Sequence, residues 1–128
     1  MYKGTVTIEL HTPVEWEGDE IKTIALNFGK VTPAAIIEAE QNSGGSLTSI
    51  VKMANTSYCT HLASHMMGRE PKTAYRILMK MDVEDFNAVW QTVGAYVGDN
   101  DPQEFYNQYT GVEATADAGF TKPAGKPE

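Results

Sequence analysis

Cys59-Thr60-His61 with His65 is the densest group of chemically capable side chains in the chain. Two histidines four residues apart share one face of a helix and can hold a metal ion between them. The thiol does not join them. At about 100° per residue, Cys59 and His61 point roughly 200° apart on a straight helix. The stretch His61-Leu62-Ala63-Ser64-His65 also lacks the glutamate of a zinc-protease motif, and no Asp or Glu occurs between Gln41 and Arg69. Nucleophilic catalysis would need Ser, Thr or Cys beside a base with an orienting acid. Ser57 and Ser64 have no nucleophile-elbow sequence around them, and hydroxyls on a helix normally bond back to the preceding turn. Gly44-Gly45-Ser46 lacks the lysine of a phosphate-binding loop and reads as a helix stop followed by a cap. Glu15, Glu17, Asp19 and Glu20 crowd one turn, without the regular ligand alternation of a calcium loop. The expectation is a protein without catalytic residues, cofactor or metal.

Side chains suited to contact are better represented. Met53, Met66, Met67, Met79 and Met81 fall in one window, and flexible thioethers adapt to variable apolar partners. Met66 and Met67 are adjacent, so one of them should face away from the core. Trp16, Phe105, Tyr106 and Tyr109 are aromatic anchors of the kind that dominate protein interfaces. The expected protein-binding residues are therefore Met66, Met67, Trp16, Phe105, Tyr106 and Tyr109. Trp90, within a helical stripe, reads as core.

The elements that position these residues follow from periodicity. Val6, Ile8 and Leu10 alternate with Thr5, Thr7, Glu9 and His11, and Ile24, Leu26 and Phe28 with Thr23, Ala25 and Asn27, the pattern of two half-buried strands. Glu17-Gly18-Asp19-Glu20 supplies the turn between them. A two-residue Gly18-Asp19 loop would set Leu10 against Asn27. An odd-length or bulged turn, pairing Leu10 with Leu26 and Ile8 with Phe28, keeps apolar partners on one face. Pro13 marks an edge strand, and a lone hairpin needs helices or another subunit over its apolar face; self-association through the hairpin is one expectation.

Helices should follow. Thr32-Pro33 opens one that ends at Asn42-Ser43-Gly44-Gly45. Ser46 caps a longer central helix reaching Gly68, a short one runs from Lys72 to Lys80, and Asp82 starts another that reaches Gly98, with Asp85 as its capping-box partner. The fold class is α+β, an N-terminal antiparallel hairpin followed by a bundle of about four helices. Residues 1–98 form the domain. Residues 99–128 read as an acidic, aromatic-containing tail, with one short helix after Asp101-Pro102 and extended or disordered chain from 110 onward.

The bulk numbers exclude several classes. A length of 128 residues suits one domain. A net charge of −7, with no cluster of Lys and Arg, repels a phosphate backbone, so nucleic acid is not an expected partner. No apolar run approaches a membrane span, and the single cysteine suits a reducing compartment. The reading is a cytoplasmic protein without membrane contact.

In order, the hairpin with Pro13-Val14 and Gly18, the strand Ile24 to Phe28, the helix start Thr32-Pro33 with Ala39-Glu40, the central helix and the Asp82 to Val97 helix resemble the bacteriophage tail assembly chaperones, the tape-measure chaperone family. The resemblance covers about residues 5–98. It implies a non-enzymatic protein of the infected host's bacterial cytoplasm, absent from the mature virion. Such a protein binds the tape-measure protein, keeps it soluble, and helps recruit tail-tube subunits during tail assembly. The family supplies no sharp motif from which individual site residues carry over. A small structural virion protein of the tail or neck is the alternative reading, and a helical adaptor for a host protein is a further one.

Overall fold

The computed structural model describes residues 1–44, 52–111, 123–124 and 126–127. Among the described residues, an antiparallel hairpin is followed by five α-helices described at both ends, an α+β arrangement. Strands β1 (Thr5–Trp16) and β2 (Asp19–Asn27) present Val6, Ile8, Ile24 and Leu26 to the core, while Thr5, Thr7, Glu9, Thr23 and Ala25 face outward. The turn is a two-residue loop, Glu17-Gly18, and both residues have positive φ (50° and 87°), as the tight hairpin turn matching strand twist requires.

The expected pairings are corrected. Ile8 lies opposite Ile24 and Val6 opposite Leu26, and the register shifts between Glu9 and Val14. The odd offset foreseen for the turn is thus placed within β1, where residues 10–13 bulge. Pro13 sits in that bulge, where no ladder donor is needed. Phe28 leaves the strand for a 3₁₀ turn, Phe28–Lys30, closed by the Asn27 side chain accepting from the Gly29 N–H. Its ring packs 4.7 Å from that of Tyr96.

Helix α1 (Pro33–Asn42) starts where Thr32 Oγ1 accepts from the Ala35 N–H, the expected cap. Gly45 and the proposed Ser46 cap lie outside the described residues. The central helix is shorter than expected: α2 spans Thr56–Ser64. Lys52 and Met53 are helical, but the chain turns at Ala54 and restarts at Asn55, whose side chain accepts from the Tyr58 N–H at 2.7 Å. Asn competes with helical hydrogen bonding in this way. Apolar spacing therefore ran straight through a cap.

Helices α3 (Pro71–Met79) and α4 (Val83–Val97) follow, with Asp82 capping α4. Helix α5 (Pro102–Thr110) is capped by Asp101 and closed by Gly111 at φ 79°. The short helix expected after Asp101-Pro102 is thus present within the segment read as a tail; its Pro102 and Tyr106 are buried and it packs on α4 and β1. Proline at the first helical turn and an aspartate cap made the helix legible. Its membership in the core was not. Further on, Pro123–Ala124 pairs with Lys126–Pro127.

Helix α2 stands at the centre, against α1, α3 and α4. One cluster joins the inner sheet face to Tyr58, Cys59, Leu62, Ile77, Leu78, Val89, Val93 and Tyr96. Each large apolar side chain so buried contributes about 1.5–3 kcal/mol of transfer free energy. Among the described residues, no helix is long and apolar enough to cross a membrane.

Candidate functional site

Cys59 and the histidines occupy different sides of α2. Cys59 is fully buried, its Sγ donating to the Lys52 carbonyl at 3.3 Å, and burial pushes the thiol up to about 12. It is a protonated core residue at neutral pH. His61 instead stacks on Tyr75, with ring centroids 4.6 Å apart and planes 5° apart. His65 Nε2 meets Glu38 Oε1 at 2.6 Å. These groups line a polar pocket of about 450 Å³ between α1, α2 and α3, with Arg76, Lys72 and Glu70 at its rim. Burial lowers the pKa of His61; Glu38 opposes that effect and His65 adds to it. The nearby hydroxyls are engaged with their own helix: Ser64 Oγ donates to the His61 carbonyl and Thr60 Oγ1 to that of Thr56. Among the described residues, no three His, Cys, Asp or Glu side chains form a metal-holding group.

A second concavity is apolar. Met53, Ala54, Trp90, Gly94, Ala95 and Phe105 line a groove of about 300 Å³, with Gln91 and Asn100 also on its walls. Three parts of the chain build it. The turn after Met53 forms one wall, held close to α4 because Gly94 has no side chain: a Cβ there would lie 2.6 Å from the Met53 carbonyl oxygen. Helix α4 supplies Trp90, half-buried, with its indole N–H donated to Asn87 at 3.0 Å. Helix α5 supplies Phe105, and Tyr109, 44% exposed, continues the aromatic surface with its ring 5.9 Å away.

The six expected contact residues are only partly brought together. Phe105 lies in the groove, with Tyr109 beside it. Tyr106, one position along, turns inward: it is buried, and its hydroxyl accepts from the Glu9 N–H at 2.9 Å. Met66 is 1% exposed and belongs to the core. Both pack inward: Tyr106 because a helix turns about 100° per residue and so separates it from Phe105, and Met66 because the turn that follows α2 brings it against β2, where its carbonyl accepts from the Asn27 N–H. Met67 is half-buried in a small notch with Arg69 and Ile77. Trp16 is half-buried under the Lys80 ammonium, 5.5 Å from its ring centroid, away from the groove. Trp90, which sequence reasoning placed in the core, packs against the core cluster and also lines this groove. Asn87 three residues before it and Gly94 four after it were the available signals of a polar tip and a close backbone approach.

No protein-family model matches the chain, and neither the curated proteins nor the solved structures yield a match.

Proposed function

We infer that the protein is a tail assembly chaperone that holds an amphipathic helical segment of a phage tape-measure protein in the groove between Met53, Trp90 and Phe105. The apolar groove is the observation that carries this reading. Helix-in-groove binding needs a concave apolar surface with large anchors; Trp90 and Phe105 are such anchors, and Met53 is an adaptable wall. The order of hairpin and helices along the chain supports the same reading. The net charge of −7 keeps such a complex soluble while the apolar cargo is covered. In this role the protein acts in the host cytoplasm, without cofactor, nucleic acid or membrane, and hands the covered tape measure to tail-tube subunits before the virion matures.

Co-expression with the tape-measure protein tests it. The expected outcome is a soluble complex that survives purification, weakened by about 2 kcal/mol or more on Trp90→Ala or Phe105→Ala while circular dichroism stays that of the parent. A tape-measure protein that remains insoluble, with no complex formed, would sink the reading. Recovery of the chain from mature particles would instead favour a structural role in the virion.

A further inference from the structure

Charge is divided unevenly along the chain. All ten Lys and Arg residues lie at positions up to 80 or from 122 onward, so helices α4 and α5, which supply most of the apolar groove, carry none. Acids stand beside the groove instead. Asn100 and Phe105 are on its walls, and their chain neighbours Asp99, Asp101 and Glu104 are all exposed. Among the described residues, none of these three carboxylates makes an ion pair. Lys52, which precedes Met53 on the opposite wall, is engaged elsewhere: its Nζ lies 2.5 Å from Glu40 Oε2 and 5.3 Å from the centre of the Tyr58 ring. The Trp90 indole N–H is already donated to Asn87, so that ring needs no polar partner from an occupant.

An apolar floor with an acidic rim selects its occupant by charge. Resting on the reading of the groove as a helix-binding site, we propose that its occupant is a cationic amphipathic helix. The apolar stripe of that helix lies against Met53, Trp90 and Phe105, and Lys or Arg flanking the stripe lie beside Asp99, Asp101 and Glu104. Apolar contact supplies the affinity, and the rim supplies the choice of segment. The aromatic rings add to the preference: Phe105 follows Glu104 directly, Tyr109 lies one turn on, and an aromatic face attracts a cation. A second copy of the chain fits poorly, because groove-to-groove contact sets acid against acid. Within a long helical cargo, such a groove engages stretches whose apolar stripe is bordered by Lys and Arg and passes over those bordered by acids.

Synthetic helical peptides and the full chain provide the test, independently of any tape-measure protein. Three probes share one leucine stripe at helical spacing and differ only at the flanking positions, which are Lys, Gln or Glu. Fluorescence anisotropy should show the Lys peptide binding on the order of tenfold tighter than the Gln peptide, because several exposed ion pairs of modest strength act together, with the Glu peptide weaker still. The difference should shrink as salt rises. Asp99→Asn, Asp101→Asn and Glu104→Gln together should bring the Lys peptide to the affinity of the Gln peptide and leave the Gln peptide unchanged. These changes spare the backbone: asparagine keeps the oxygen that Asp101 offers to the Gln103 and Glu104 N–H groups, and it tolerates the φ of 67° at Asp99. Trp90→Ala should weaken the Lys and Gln peptides alike, which places both in the groove. Equal binding of those two peptides, a preference that survives in the triple variant, or Lys-peptide binding untouched by Trp90→Ala overturns the proposal. So does a dimer of the chain that Trp90→Ala dissolves and no peptide displaces. Equal binding that Trp90→Ala still weakens removes the charge selection and leaves the helix-in-groove reading standing, so the two failures are told apart.

Discussion

Asp85 is 2% exposed, and its carboxylate makes two bonds to the backbone of β1 and a third, at 3.1 Å, to His11 Nδ1. Burial alone would raise its pKa. The bonds from His11 and Thr12, with the charge of the imidazole, outweigh burial and hold it below the ordinary aspartate value of 3.8. A folded-state pKa below the unfolded one contributes stability that is fully present above the unfolded value and is lost as pH falls through the folded one. Stability should therefore drop on acidification below about pH 4, and this component should vanish in Asp85→Asn. Asp85→Ala removes the charged acceptor of the His11 and Thr12 N–H groups, which should cost about 1.5–3 kcal/mol, the range for a hydrogen bond to a charged group. Urea unfolding of the three proteins at neutral and acid pH measures both effects. An Asp85→Ala chain as stable as the parent would remove Asp85 from the account of the bulge.

Two element-scale features control the groove. Asn55 breaks what would otherwise be one long helix, and the turn before it brings Met53 against Gly94. A Cβ at Gly94 would lie 2.6 Å from the Met53 carbonyl oxygen, a backbone atom that cannot rotate aside. Gly94→Ala should therefore destabilise by about 1–3 kcal/mol, the usual range for overpacking, even though alanine favours a helix by about 1 kcal/mol at an unconstrained position. Denaturant midpoints measure the sign. A stabilised Gly94→Ala would mean that the turn at Met53 and Ala54 does not press on α4. Asn55→Ala should cost about 1 kcal/mol through the lost cap, and the far-ultraviolet dichroism of that variant would show whether helix then extends across the break.

At the scale of the molecule, α5 ties residues beyond 98 to the rest of the fold. It buries Pro102 and Tyr106 and closes the β1 edge through the Tyr106 hydroxyl. A chain ending at Gly98 should melt well below the full chain and bind a hydrophobic dye, because it exposes α4 and leaves the Glu9 N–H without the Tyr106 hydroxyl. Identical melting of the two would place the domain boundary at 98 after all. Tyr106→Phe removes only the hydroxyl and should cost about 1 kcal/mol, which separates the hydrogen bond from the packing of the ring.

Local chemistry was readable in the chain itself. Alternation gave both strands, Thr32-Pro33, Asp82 and Asp101-Pro102 gave three helix starts, and helical phase separated Cys59 from His61. Each of these depends on a few neighbouring residues. What depended on distant partners was not readable. The apolar spacing from Leu47 to Met66 is equally compatible with one helix or two, and only the packing of Met53 on Gly94 and the Asn55 cap shows the break. Asp82-x-x-Asp85 spells a capping box, yet the Asp85 carboxylate serves strand residues 73 and 74 positions earlier. Phe105 and Tyr106 are adjacent aromatics of similar size, and their separation into groove and core follows from where β1 lies. The sequence by itself determined the order and type of the elements, because propensity, capping and periodicity are short-range. The tertiary structure decided how the donors of β1 are met by Asp85 and Tyr106 and which aromatics meet in a groove, because both depend on faces brought together from distant parts of the chain.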